Sequence, residues 1–205
     1  MKIKGIFLFI TFAFVISSCG KNYTPEQIKY IAKIEKIREE KNKEMKDDPA
    51  SPFNIDPNAH FSNLKYFPVN PGFVFKSKLY RYANKDTVIV FGTKGEKRKV
   101  VRYGYVKIDF KDGEKNVNVY EGFGKNGQKY YSIWFTDRTT GNETYGVGRY
   151  IDFDLNPDSN FIYTIDFNLA YNPYCSYSSK YSCAIPTKND HIDEEMDAGE
   201  KKFHN

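Results

Sequence analysis

The chain has 205 residues, a net charge of +5 at pH 7, and 17 residues each of Tyr and Phe. So small a charge implies no strong electrostatic partner and argues against a nucleic-acid binder. The length suffices for one domain with a real, aromatic core.

Met1-Lys-Ile-Lys4 is a basic start, Gly5 to Ile16 an uncharged apolar run, and Ile16-Ser-Ser-Cys19 an ending in small residues. This pattern reads as a bacterial export signal. The run is well short of the roughly 20 residues of a spanning helix. Its ending resembles the lipobox of bacterial lipoproteins, in which the cysteine is acylated and becomes the first residue. The resemblance implies lipidation of Cys19, with palmitate-type chains holding the protein to a membrane that it does not cross. The location expected is the cell envelope, facing the periplasm or the cell surface. Losing Lys2 and Lys4 with the signal, out of 31 basic residues against 26 acidic ones, leaves a charge of about +3. Residues 1–19 are thus the signal, 20–52 a tether with a charged helix, and 53–205 a β-rich domain.

Thr24-Pro-Glu-Gln27 has the spacing of a capping box with proline at the first helical position. A helix is predicted from there until Pro49 and Pro52 end it. Ile28, Ile31, Ile34 and Ile37 step by three and fan around its surface, so a short packing face is expected. The charged run from Arg38 to Asp48 reads as solvated. Such a helix could be a stalk roughly 35 Å long, or it could fold back on the domain.

After Phe53 the pattern changes to short β-branched and aromatic runs divided by Gly, Asn and Asp. Seven strands are predicted: Val74 to Tyr82, Thr87 to Thr93, Arg98 to Lys111, Glu114 to Glu121, Tyr130 to Thr136, Val147 to Asp154 and Phe161 to Asn168. The clearest hairpin turns at Asp112-Gly113. Short connections favour antiparallel pairing. The fold class expected is mainly β, a single antiparallel sandwich or barrel-like domain preceded by an N-terminal helix.

Gly122-Phe-Gly124-Lys-Asn-Gly127 has the spacing of a dinucleotide loop, but a strand follows where that motif needs a helix, so it reads as a hairpin connection. No Gly-x-Ser-x-Gly elbow, His-Glu-x-x-His or phosphate loop occurs. Lys76-Ser-Lys-Leu-Tyr-Arg-Tyr82 reads as a plain strand face. Lipidating Cys19 leaves Cys175 and Cys183 as a pair, for which a disulfide is the leading expectation. A metal site completed by His191, and free thiols, are the alternatives. Asp166 and Asn168, two apart on one predicted strand, share a face, and Arg149 is the natural partner for Asp166. For Arg149 one internal ion pair is the competing reading.

Several motifs together resemble the bacterial family catalogued as domain of unknown function 1684. They are Leu64-Lys-Tyr-Phe-Pro-Val69, Gly141-Asn-Glu-Thr-Tyr-Gly-Val-Gly-Arg-Tyr150, Asp166-Phe-Asn-Leu-Ala-Tyr-Asn-Pro173, the cysteine pair and Ala198-Gly-Glu-Lys201. The resemblance runs from Glu35 onward and departs at Ala184, where the family has proline after the second cysteine. It implies a domain extent and a set of characteristic positions, without a catalytic assignment or a cofactor.

Tyr145, Arg149, Asp166, Asn168, Tyr171 and Asn172 combine directed polar groups with flat aromatic faces. They are the candidate site for a small polar ligand such as a sugar or a carboxylate. The alternatives are an enzyme using Asp137, Glu143 or Asp166 as acid or base, and a structural envelope protein in which these residues satisfy one another.

Overall fold

The computed structural model describes residues 22–124 and 127–204. The export segment and Cys19 lie outside the described residues. At Thr24 the capping chemistry acts as its spacing dictates. The Gln27 amide donates to Thr24 Oγ1 at 3.3 Å and the Thr24 amide to Gln27 Oε1 at 2.9 Å, opening α1 (Pro25–Asp47).

The helix folds back along the domain, and its packing face is long, where the isoleucine spacing had predicted a short one. The face follows steps of three and four through Tyr30, Ile34, Arg38, Lys41, Asn42 and Met45, all buried or half-buried. Most of these residues are polar, so much of the face is held by hydrogen bonds and ion pairs, with apolar burial at Ile34 and Met45. The Arg38 guanidinium donates to the carbonyls of Phe67 at 2.9 Å and Asn168 at 3.3 Å, and Asn42 Oδ1 accepts from the Leu64 amide at 2.8 Å. Arg38, expected in a solvated run, is buried. Met45 ends the stripe in an apolar cluster with Phe53, Leu64, Tyr177 and Phe203. Phe53 belongs to the single turn α2 (Pro52–Ile55) that follows α1.

Among the described residues there are eight strands: β1 (Val74–Ser77), β2 (Leu79–Phe91), β3 (Lys97–Phe110), β4 (Gly113–Phe123), β5 (Lys129–Asp137), β6 (Arg149–Asp152), β7 (Tyr163–Asp166) and β8 (His191–Ile192). A six-stranded sheet has the order β2-β3-β4-β5-β6, antiparallel throughout, with β8 added parallel to β5. β1 and β7 pair as a separate antiparallel ribbon. The mainly β fold with an N-terminal helix is as the sequence predicts, and so are the β3–β4 hairpin and the hairpin across Gly124 to Gln128, but the first of these turns at Lys111-Asp112, one residue before the predicted Asp112-Gly113.

β6 is shorter than the predicted run Val147 to Asp154, β8 was not predicted, and two further strand boundaries differ. The run Val74 to Tyr82 is split after Ser77, whose Oγ accepts from the Lys107 amide at 2.9 Å, and β2 then continues to Phe91 through a register shift between Arg81 and Asp86. β7 stops at Asp166 because that carboxylate caps a 3-10 turn, Phe167–Leu169, accepting from the Asn168 amide at 2.9 Å. Asn168 therefore lies in the turn and not on the strand.

The long sheet is covered on opposite faces at its two ends. On one face Val106, Ile108, Val117, Val119, Ile133 and Phe135 pack beneath Tyr163, Ile165 and Phe167 to form the main core. On the other face, toward the far end, Val90, Val100, Tyr120 and Trp134 are covered by the segment containing Ala184. The Trp134 ring stacks on Tyr120 with centroids 4.6 Å apart.

Candidate functional site

Five of the six residues singled out by sequence fall into three separate polar clusters, and Tyr145 lies apart from them beside the cysteines. Arg149 opens β6 and is almost wholly buried. Its guanidinium donates to Asp137 Oδ2 and to the Met196 carbonyl, each at 2.9 Å, and also to the carbonyl of Ala198. Its partner is thus Asp137 at the end of β5, and not Asp166 as the sequence suggested. Burial lowers the guanidinium pKa, and the Asp137 charge opposes that shift. Asp137 also accepts from the Thr139 amide at 2.8 Å and from its hydroxyl at 2.5 Å. An acid or base role for Asp137 would require release from these bonds.

The second cluster holds Asp166 and Asn168. The Tyr30 hydroxyl donates to Asp166 Oδ2 at 2.8 Å, and Asn168 Nδ2 donates to Asp166 Oδ1 at 3.0 Å and to the Asn70 carbonyl at 2.9 Å. Asn168 Oδ1 accepts from the Asn70 amide at 2.8 Å. Burial first, then the Asp166 charge, pushes the Tyr30 hydroxyl pKa above its ordinary value.

The third cluster is organised by Glu200, a residue the sequence reading quoted in a motif without assigning it. Its carboxylate is fully buried and accepts from the Asn172 amide at 3.2 Å, from Asn172 Nδ2 at 2.8 Å and from the Tyr177 hydroxyl. Lys41 of α1 completes it at 3.4 Å, with its ammonium 4.5 Å from the centroid of the Tyr171 ring. The Tyr171 hydroxyl donates to Asp152 at 2.6 Å. A comparable buried carboxylate, Asp190, accepts from Tyr120 and Asn118, both at 2.8 Å, and was likewise not foreseen.

Tyr145 lies with the cysteines, its hydroxyl 3.3 Å from the Cys175 carbonyl and 3.7 Å from Cys175 Sγ. Where a disulfide was expected, Cys175 and Cys183 are free thiols, the Cys175 amide donating to Cys183 Sγ at 3.2 Å. The contact from the Cys183 thiol, with help from Tyr145 and Thr93, draws the Cys175 pKa down to about 7 and pushes that of Cys183 up. His191 is placed elsewhere, with Nδ1 3.0 Å from Thr136 Oγ1. Among the described residues no group of three His, Cys, Asp or Glu could hold a metal ion, so the alternative metal site of Cys175, Cys183 and His191 is not assembled.

A hollow of about 420 Å³ opens beside the Glu200 cluster, lined by Lys65, Asn142, Glu143, Lys201 and Lys202. Its walls are pinned by backbone hydrogen bonds from the Lys201 amide to the Lys65 carbonyl at 2.8 Å and from the Lys202 amide to the Glu143 carbonyl at 2.9 Å. Of the residues singled out by sequence only Glu143 reaches it. The signal was present in Lys201-Lys202 and Lys65, but it becomes a site only when the two segments pair.

The model of the family described as "Protein of unknown function (DUF1684)" matches residues 59–201. The chain belongs to this family. In this DUF1684 chain the match holds the Arg149, Asp166 and Glu200 clusters apart from Tyr30 and Lys41 of α1, the cysteine pair and all but Lys202 of the hollow's lining. Among solved structures it is similar to the solution NMR structure of the uncharacterized protein from gene locus rrnAC0354 of Haloarcula marismortui. The TM-score is 0.62 at 22% identity, over 86% of this chain and 96% of that one, which is a likeness of fold. No curated protein matches this DUF1684 chain.

Proposed function

We propose that the chain is a lipid-anchored envelope protein whose domain binds a small anionic molecule, of carboxylate class, in the hollow between Lys65, Lys201 and Lys202. The observation that carries the binding reading is the hollow itself. Three lysines line it against one carboxylate, Glu143, in a space of the size usual for small-ligand sites. A recess whose lining carries more positive than negative side chains favours an anion. Of the residues first expected to bind, Asn172 serves as its rigid support, since with Glu200 it fixes the backbone from which Lys201 projects.

The anchor reading is supported by the basic start, apolar run and Ser-Ser-Cys ending of the export segment. It gains from the position of α1, whose capped start follows Cys19 by five residues. A span of that length reaches at most about 17 Å, so the domain would sit close to the bilayer instead of on a stalk.

A structural envelope role is the second reading, favoured by the degree to which the buried polar groups satisfy one another. Two experiments separate the readings. Metabolic labelling with a fatty acid should mark the wild-type chain and not Cys19→Ala, and equal labelling of both would refute the anchor. A thermal-shift screen against small carboxylic acids should raise the melting temperature of wild type, whereas a purely structural protein would give no shift with any acid.

A further inference from the structure

The far end of the six-stranded sheet has one covered face and one open face. On β5, Tyr131, Ile133 and Phe135 alternate onto the main-core face, and Tyr131 packs against that core. Cross-strand partners carry the face outward: Tyr131 is opposite Glu121, Glu121 opposite Val101, and Val101 opposite Thr87. One step further along the same face stand Ile89 and Phe91 on β2, Lys99 and Lys97 opposite them on β3, Phe123 on β4 and Lys129 opposite it on β5. The core face thus runs past the elements that cover it.

An exposed sheet face is ordinarily polar, and the open face at the opposite end follows that rule with Lys107, Asn116 and Glu114. The far-end face does not. Ile89 is 54% exposed, Phe91 51% and Phe123 60%, and lysines separate them. Lys97 and Lys99 are exposed, while Lys129 reaches the rim of Glu121 at 3.4 Å and lies 5.7 Å from the Phe123 ring centroid. Apolar side chains of intermediate depth interleaved with long ammonium arms match the boundary of an anionic bilayer, where rings enter the acyl margin and lysines meet phosphates.

The anchor end of the chain joins the layer that covers this same sheet face. Tyr30, one and a half turns into α1, bonds Asp166 at one end of β7. Tyr163, at the other end of that strand, packs with Ile165 on the main core and stacks on Phe153. It also borders a hollow that includes Arg81, whose guanidinium lies 5.4 Å from the Tyr103 ring centroid. Tyr103 in turn meets Tyr131 of the face with ring centroids 4.9 Å apart.

We infer that the open sheet face bearing Ile89, Phe91, Phe123, Lys97, Lys99 and Lys129 docks on the surface of an anionic lipid bilayer. The inference rests on the anchor reading above, which brings the domain within reach of the membrane, and it adds an orientation. Pressed down by this face, the domain would hold one fixed pose on the bilayer in place of free rotation about its tether.

The test uses the full acylated chain carrying Phe123→Trp, reconstituted in vesicles of phosphatidylcholine alone or with phosphatidylglycerol, in each case with brominated acyl chains. The native Trp134 is buried against Tyr120 and stays shielded from lipid quencher. Flotation reports the anchor, and quenching of the introduced indole reports the face. The expected result is at least two-fold quenching with a blue shift in the phosphatidylglycerol vesicles. Adding Lys97→Glu and Lys99→Glu should abolish the quenching while the chain still floats. A chain that floats with its indole unquenched overturns the docking face and leaves the anchor standing, and a chain that does not float overturns both. An indole already hidden from aqueous iodide before lipid is added, in a chain that sediments as a dimer, would give the face to a second copy and overturn the proposal.

Discussion

The Tyr30 hydroxyl donates to Asp166 at 2.8 Å, joining the second turn of α1 to the end of β7 across 136 positions of sequence. The contact makes the helix part of the domain. A hydrogen bond to a charged group contributes about 1.5–3 kcal/mol net, so Tyr30→Phe should lower unfolding stability by about that amount. It should also make α1 easier to cleave by protease under native conditions. Urea unfolding with an unchanged slope is the check. Wild-type stability and cleavage in the variant would mean that the helix is held by its other contacts alone.

Arg149 and Asp137 are both nearly inaccessible and 2.9 Å apart. Removing one partner of such a pair leaves a buried charge alone and costs about 3–5 kcal/mol. Arg149→Ala should therefore be among the most destabilising single changes in the domain. Replacing both, as Arg149→Met with Asp137→Leu, should recover part of the loss because no lone charge remains. Chemical denaturation of the two single variants and the double variant measures it, and additive losses would contradict the pairing.

Gly199 sits between Ala198, whose carbonyl accepts from Arg149, and the buried Glu200, at φ +75°, where a Cβ would come 2.6 Å from the Ala170 carbonyl oxygen and 2.7 Å from that of Phe167. Both the left-handed backbone and the close approach demand glycine. Gly199→Ala should cost about 1–3 kcal/mol from backbone strain and disturb the Glu200 cluster as well. An unchanged melting temperature would show that the turn relaxes freely.

The Cys175 thiol, drawn down to about 7 by Cys183 and then by Tyr145 and Thr93, is half thiolate near neutral pH. An unperturbed cysteine reaches that point only near 8.5. In reduced protein, iodoacetamide should therefore label Cys175 with a midpoint near pH 7, while Cys183, pushed up by the same contact, lags far behind. Rates followed by peptide mass across pH 5–9 decide it, and equal rates for the two thiols would refute the assignment. Tyr145→Phe should move the Cys175 midpoint upward.

The fold was legible where local chemistry decides it. The Thr24 cap, the hairpin around Asp112 and the β texture after Phe53 are written in short stretches, and each appears in the structure, the hairpin's turn one residue earlier than predicted. The packing stripe of α1 was not legible, because hydrophobic spacing marks apolar faces and this face is written in Tyr30, Arg38, Lys41 and Asn42. The end of β7 was missed because Asp166 caps a turn that an alternating pattern does not reveal. Of the site, the sequence showed which polar residues were unusual without their partners. Arg149 found Asp137 and Asn172 found Glu200 through strand register and chain crossings that only the folded chain defines. The lysine hollow needs two segments 136 residues apart, Lys65 and Lys201, to pair backbone to backbone.

The most direct test of the central claim, that the lysine hollow and not the buried polar clusters binds an anionic ligand, is calorimetric titration of the full chain with succinate and citrate. The same titrations are run on Lys65→Gln with Lys201→Gln and on Tyr145→Phe. The account predicts saturable binding of one equivalent to wild type and to Tyr145→Phe, and loss of binding in the lysine variant with its melting temperature little changed. In wild type, acid at 100 times its dissociation constant should also add about 2.7 kcal/mol of stability. Binding that survives the lysine changes and fails in Tyr145→Phe, or no heat with either acid in wild type, would contradict it.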